Sequence, residues 1–254
     1  MLLLIDVGNT HTNFGIYKDE ELCGHWRIAT DFKKTEDELA VLFISLMNEK
    51  KIEYKQISAV VISCVVPPLI WILTKMSRVY FNIKPILVNS GINLNMKIRT
   101  DYPEEVGADR IVNAVAVCNL YHTPAIIIDY GTATTFCAVD KEKNYIGGAI
   151  APGLELSSNA LFEKTAKLPE VELIRPGQAI GKNTIQAIQS GIFLGHIGLT
   201  EEIISRFKAE IKGNPQVIAT GGLSKLIGNN CSTIDIVDPL LTLKGLKIIY
   251  HLNS

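Results

Sequence analysis

The sequence predicts an α/β protein of two duplicated lobes, each opening with three strands. Three observations carry this. Residues 4–18, Leu4-Ile5-Asp6-Val7-Gly8-Asn9-Thr10-His11-Thr12-Asn13-Phe14-Gly15-Ile16-Tyr17-Lys18, and residues 127–141, Ile127-Ile128-Asp129-Tyr130-Gly131-Thr132-Ala133-Thr134-Thr135-Phe136-Cys137-Ala138-Val139-Asp140-Lys141, repeat one pattern at an offset of 123 (129 minus 6). On that offset Asp6 matches Asp129, Gly8 matches Gly131 and Thr12 matches Thr135. Each copy is an apolar run that turns at D-x-G and resumes, which is a β-hairpin pattern with small hydroxyl residues at the tip. In both copies, helical patterns follow the strands.

The elements can be justified in order. Strand patterns fall at 2–6, 13–17, 23–29, 58–64 and 84–88. A helix starts at the capping box Thr35-Glu36-Asp37-Glu38, and Leu39, Phe43, Leu46 and Met47 give it one apolar face. Pro67-Pro68 opens a second helix to about Phe81, Pro being tolerated in a first turn. The first lobe therefore reads β-β-β-α-β-α-β. A polar link over 101–106 leads through Gly107-Ala108-Asp109-Arg110 into an apolar helix ending near Tyr121.

The second lobe repeats the opening with strands at 124–129, 136–139 and 145–150. Gly147-Gly148-Ala149-Ile150-Ala151-Pro152-Gly153 is followed by helices near 154–165 and 184–209. A buried strand at 216–219 runs into Thr220-Gly221-Gly222, and a final helix of about 240–252 follows Asp238-Pro239. Lobes of 1–121 and 122–254 are expected, with the last helix able to pack back on the first. Three-strand openings followed by helices, present twice, predict two ribonuclease-H-like lobes with a nucleotide cleft between them.

Composition excludes several classes. The chain has 254 residues, 47% of them apolar and 20% charged, with a formal net charge of −1. That balance points away from nucleic-acid and anionic-membrane partners. No apolar run is long enough to span a bilayer. Met1 leads straight into Leu-Leu-Leu-Ile-Asp, which reads as a buried first strand rather than a signal peptide. Five scattered cysteines without a C-x-x-C pair suit a reduced, cytoplasmic protein. The five histidines are equally scattered and suggest no zinc site.

The chemistry must come from the hairpins. Gly177-Gln178-Ala179-Ile180-Gly181-Lys182-Asn183 is one residue short of a Walker A loop and lacks its hydroxyl residue, and no G-x-G-x-x-G occurs. Two facing D-x-G hairpins would converge backbone N–H groups, hydroxyls and two carboxylates on a polyphosphate and its metal ion. Asp6 reads either as such a ligand or as an Asx-turn cap; its repetition at Asp129 favours the ligand. Asp109 fits the stabilising acid of a helix's first turn, and also a general base with Arg110 beside it for an anion. Thr220-Gly221-Gly222 fits a plain turn or a flat surface for a purine. The helix over 184–209 carries Ile185, Ile188, Ile192, Phe193, Ile197 and Leu199 on more than one face. That suits either a helix sandwiched within its lobe or one shared with a second copy.

Six motifs in fixed order give a further indication. They are Asp6-Val7-Gly8-Asn9-Thr10, Gly107-Ala108-Asp109-Arg110, Asp129 to Thr135, Gly147 to Gly153, Thr220-Gly221-Gly222, and Asp238-Pro239-Leu240-Leu241-Thr242-Leu243-Lys244-Gly245-Leu246. With them the chain, over essentially its whole length, resembles the type III pantothenate kinases of the acetate and sugar kinase, heat-shock chaperone and actin superfamily. The resemblance implies ATP-dependent phosphorylation of pantothenate to 4′-phosphopantothenate, the first step of coenzyme A synthesis. It implies that Asp6, Val7, Gly8, Asn9, Thr10, His11, Thr12 and Asn13 bind ATP phosphates, with Asp6 toward Mg²⁺. Thr132 would contact ATP, Thr220-Gly221-Gly222 (Gly221 and Gly222 as the binding residues) would face the adenosine, and Asp129 would ligate K⁺ or NH₄⁺. Gly107, Ala108, Asp109 and Arg110 would hold pantothenate, with Asp109 as proton acceptor. Thr184 would contact substrate across a homodimer interface. Many relatives carry Tyr nine residues before the catalytic Asp; here that position is Thr100, and Tyr102 stands close enough in sequence to substitute. Alternatives of the same fold are a kinase for another small alcohol and a non-catalytic transcription accessory factor.

Overall fold

A computed structural model describes residues 1–254, which fall into two compact units. The first comprises Met1–Met96, Asp101–Asn119 and Thr242–Ser254; the second comprises Lys97–Thr100 and Leu120–Leu241.

In the first unit β1 (Leu2–Val7), β2 (His11–Lys18), β3 (Glu21–Ala29), β4 (Ala59–Cys64) and β5 (Ile86–Leu87) form one sheet in the order β3-β2-β1-β4-β5. β1 runs antiparallel to β2 and parallel to β4. Its continuous run Leu2-Leu3-Leu4-Ile5 is buried throughout, as expected of a central strand covered on both faces. α1 (Glu36–Glu49) starts at the expected capping box: the Glu38 N–H donates to Thr35 Oγ1, and the Thr35 N–H donates to Glu38 Oε2 at 2.8 Å. Such a cap stabilises a helix by about 1 kcal/mol. Its inward face brings Phe43 onto Phe14 at 4.1 Å between ring centroids, with Trp26 stacked on the other side at 5.0 Å. α2 (Pro67–Phe81) begins at the predicted proline and ends at Asn82, whose φ of 57° closes the helix in the left-handed region.

The same unit contains all but the last residue of α3 (Ala108–Leu120) and all but the first residue of α7 (Leu241–Asn253). A Cβ on Gly245 would collide with the Val112 backbone, so glycine is what lets α7 approach α3 this closely. Thr242 Oγ1 donates to Asn113 Oδ1 at 2.8 Å across that contact.

In the second unit β6 (Ala125–Tyr130), β7 (Ala133–Val139), β8 (Tyr145–Pro152), β9 (Gln216–Thr220) and β10 (Ile236–Val237) form a sheet in the order β10-β9-β6-β7-β8. Read from the other edge this is the order of the first sheet, strand for strand, with the same pattern of parallel and antiparallel pairs. The helices are α4 (Leu154–Lys164), α5 (Thr184–Glu210) and α6 (Ser224–Gly228). Lys97–Thr100 belongs here because Ile98 bridges to Tyr145: the Tyr145 N–H donates to Lys97 O and the Arg99 N–H to Tyr145 O.

The two hairpins differ by one residue. Val7 pairs with Thr12, leaving Gly8 to His11 as the turn; Tyr130 pairs with Thr134, leaving only Gly131 to Ala133. The fixed offset that matched Thr12 to Thr135 is therefore corrected: Thr134 holds the structural place of Thr12.

Candidate active site

In the first unit the hairpin tip lies at Gly8 to His11, where the Gly8 N–H donates to His11 O at 3.0 Å. Thr30 locks that turn by donating from Oγ1 to Gly8 O at 2.8 Å while sharing a 2.9 Å hydrogen bond with Thr12 Oγ1. Asn9 and Thr10 are exposed at the tip, whereas the side chains of Val7 and Thr12 are buried. Asp6 lies at the end of β1 in register with Asn13 on one side and Ser63 on the other. Its charge reaches Cys64, whose thiol is pushed up to about 11, chiefly by burial and further by Asp6.

Asp109 is the second residue of α3, and its Oδ1 accepts the Arg110 N–H at 2.8 Å. A Cβ at position 107 would sit 2.6 Å from that oxygen, so glycine there gives the carboxylate its place. Burial raises the Asp109 carboxyl above the ordinary carboxylate range, and the Arg110 N–H and guanidinium oppose that rise without cancelling it. The helix start was expected to keep this group ionised as a weak base. Desolvation prevails, so the carboxylate is the more basic for it.

In the second unit Asp129 lies at the end of β6, in register with Thr135 and Thr220. Gly221 has φ of +93°, and a Cβ there would collide with Asp129 Oδ1 and the Tyr130 backbone. Only glycine can carry the chain past Asp129 at this distance. Gly222 and Thr132 are exposed, and the Gly153 N–H at the start of α4 donates to Thr132 O at 3.1 Å. Thr100 falls in this unit and Tyr102, 62% exposed, in the first. Thr184 stands exposed at the start of α5, whose N-cap Asn183 accepts the Gln186 N–H at 2.9 Å.

Sequence reasoning did not find the Thr134–His196 pair, buried with 2.9 Å between Oγ1 and Nε2, nor Thr200 beside the Tyr130 hydroxyl at 3.2 Å. It also passed over Ser63 and the hydroxyl of Thr220. The signal for those two was a hydroxyl standing at the end of an apolar run, Val60-Val61-Ile62 before Ser63 and Val217-Ile218-Ala219 before Thr220.

No group of three or more His, Cys, Asp or Glu side chains is arranged to hold a metal ion. No helix is long and apolar enough to cross a membrane.

A duplicated ribonuclease-H-like fold in which the central strand of each sheet ends in a carboxylate beside a glycine turn defines the class of actin-like folds. Likeness to solved structures supports the fold: a Baf family transcriptional activator from Campylobacter jejuni (TM-score 0.60, 19% identity, 98% of this chain and 97% of that one) and the activator of the 2-hydroxyisocaproyl-CoA dehydratase from Clostridium difficile with bound ADPNP (0.54, 11%, 99% and 95%). Within that class the assignment is narrower. The family model for type III pantothenate kinase matches residues 2–206. Curated type III pantothenate kinases are similar from end to end, at 49% identity in Halalkalibacterium halodurans (100% of both chains) and 52% in a Geobacillus species (100% of this chain, 98% of the relative). The chain belongs to the type III pantothenate kinase family, whose activity is ATP-dependent phosphorylation of pantothenate in coenzyme A biosynthesis.

Proposed function

We propose the following division of labour for that reaction. Asp109 accepts the proton of the pantothenate hydroxyl as it attacks the γ-phosphoryl group of ATP. The observation that carries this is the raised basicity of an enclosed carboxylate fixed by the Arg110 N–H and Gly107. Gly107, Ala108 and Arg110 hold pantothenate around it, with Thr100 or Tyr102 lining the same substrate. Residues Asp6 to Asn13 bind the ATP phosphates. Because Val7 and Thr12 are buried, those two contribute backbone rather than side chain. Thr132 contacts ATP from the second hairpin, and Gly221 and Gly222 present bare backbone to the adenosine.

Asp6 serves the Mg²⁺ that travels with ATP, and Asp129 a monovalent cation, K⁺ or NH₄⁺; bound there, the cations offset charge on the phosphates. Transfer passes through a loose transition state, so alignment and charge neutralisation supply most of the acceleration. The chain's own part is to fix the hairpin tips, which Thr30 does for the first and the Gly153 N–H does for the second.

The working unit in this reading is a homodimer in which Thr184 reaches pantothenate across the interface. Support comes from the outer face of α5, where Leu194 is 41% exposed and Ala187, Gly191, Gly195 and Gly198 leave the helix flat. Ile192, by contrast, packs on the core of its own unit. All five cysteines are free thiols, which accords with a cytoplasmic location.

The test is ATP consumption with and without pantothenate, in K⁺ and then in Na⁺ buffer. Consumption should require pantothenate and fall sharply in Na⁺. Equal rates in both salts would remove the role given to Asp129, and pantothenate-independent consumption would remove the substrate assignment.

A further inference from the structure

The duplication sets a hydroxyl beside each of the two aspartates. On β4, Ser63 is in register with Asp6; on β9, Thr220 is in register with Asp129. β4 and β9 hold the same place in their sheets, each parallel to the strand that bears the carboxylate. Ser63 is 0% exposed and Thr220 1%, and neither hydroxyl has a hydrogen-bond partner within the protein.

Several other enclosed hydroxyls in the chain are satisfied. Thr12 bonds Thr30, Thr134 bonds His196, Thr200 bonds Tyr130, Ser77 donates to Leu73 O and Ser224 to Gly221 O. One further exception, Thr100 Oγ1, has no counterpart in the other half. Leaving a buried hydroxyl unpaired costs stability, so its retention at equivalent positions of both halves calls for a partner that arrives from outside. A hydroxyl suits either kind of arrival, because it donates to phosphate or water oxygens and offers lone pairs to a cation. Gly221 adds an independent constraint, since its lack of a side chain presses the Thr220-Gly221 backbone against the Asp129 carboxylate.

We propose that Ser63 and Thr220 are two further binding residues of the phosphoryl-transfer site, each joining the ligand shell of its own unit's aspartate. Ser63 serves the Mg²⁺-polyphosphate beside Asp6, and Thr220 serves the monovalent cation beside Asp129. This rests on the roles given above to Asp6 and Asp129. It also separates Thr220 from Gly221 and Gly222, which keep the adenosine.

Ser63→Ala and Thr220→Val remove the hydroxyls with little change of shape, and Thr220→Ser restores one. Melting is followed without ligand, then against KCl at fixed Mg²⁺ and adenylyl imidodiphosphate; calorimetry gives the affinity for the Mg²⁺ analogue. Without ligand, both variants should melt no lower than wild type, because an unpaired buried hydroxyl is gone. Thr220→Val should raise the K⁺ concentration for half the melting shift at least about tenfold, and Thr220→Ser should return it to the wild-type value. Ser63→Ala should weaken the Mg²⁺ analogue about tenfold and leave the K⁺ midpoint in place. Variants that melt lower without ligand yet bind K⁺ and analogue like wild type would overturn the inference and make the hydroxyls structural. Wild-type protein that answers neither K⁺ nor the Mg²⁺ analogue would overturn the underlying cation roles themselves.

Discussion

Asp109 sits under two opposed influences: the start of α3 favours its charge, and burial disfavours it. Burial prevails, and the sign of the consequences can be worked out. A carboxyl whose folded pKa lies above its ordinary value of 3.8 contributes stability at low pH and loses that contribution as pH rises through the folded value. Asp109→Asn, nearly isosteric and always neutral, should therefore melt no lower than wild type at neutral pH. Its turnover should fall by at least about 100-fold, the usual scale for loss of a general base. For the wild type, kcat/KM should decline on acidification through a limb above the ordinary carboxylate range, because the free enzyme must hold Asp109 ionised to accept a proton. A limb at or below pH 3.8, or an Asn variant with most of the wild-type kcat, would refute the assignment. The residue and its flanking glycine were legible as a motif. Its environment was not, because desolvation depends on side chains distant in sequence.

The second hairpin is anchored to α5 by two buried contacts, Thr134 to His196 and Tyr130 to Thr200. Burial pushes the His196 imidazole down to about 4, so it is neutral at physiological pH. A depressed histidine contributes stability above its ordinary value of 6.5 and loses it as pH falls through the folded value. Denaturant unfolding at pH 7 and again near pH 4.5 should show wild type losing more stability than His196→Gln; parallel losses would contradict the placement. Thr134→Val, which strands the imidazole, should cost about 1–3 kcal/mol at neutral pH. At this scale the long elements were readable because their signals are local: the capping box before α1, the prolines opening α2, the apolar run of β1. β10 has two residues and α6 five, too short for any periodicity to show, whereas the strand pattern at 84–88 covered the two residues of β5. Loss of one residue from the second turn was hidden because a shared D-x-G and a run of threonines align equally well in either register.

The duplication governs the molecule as a whole, and it extends past the hairpins to the order and direction of all ten strands. Repeated hairpin residues made that legible. That the last helix could pack back on the first unit was legible as an option, but not what holds it there: Gly245 against Val112 and Thr242 against Asn113 are contacts between segments well over a hundred residues apart. The outer face of α5 bears on assembly. Leu194→Asp places a charge on that flat apolar face without touching the core, whereas Ile192→Asp would damage the unit itself. Sedimentation of Leu194→Asp should show a lighter species than wild type, with a raised KM for pantothenate and unchanged melting of the monomer. A wild-type protein that sediments as a fully active monomer at assay concentration would contradict the dimer.

The most direct test of the central claim follows the product. Phosphorus NMR of the wild-type protein with Mg²⁺-ATP, K⁺ and pantothenate should show one new phosphomonoester for each ADP formed, with a mass one phosphoryl group above pantothenate. Asp109→Asn should bind ATP and leave that signal absent on the same timescale. Release of inorganic phosphate with no phosphomonoester, or equal product from the Asn variant, would contradict the account.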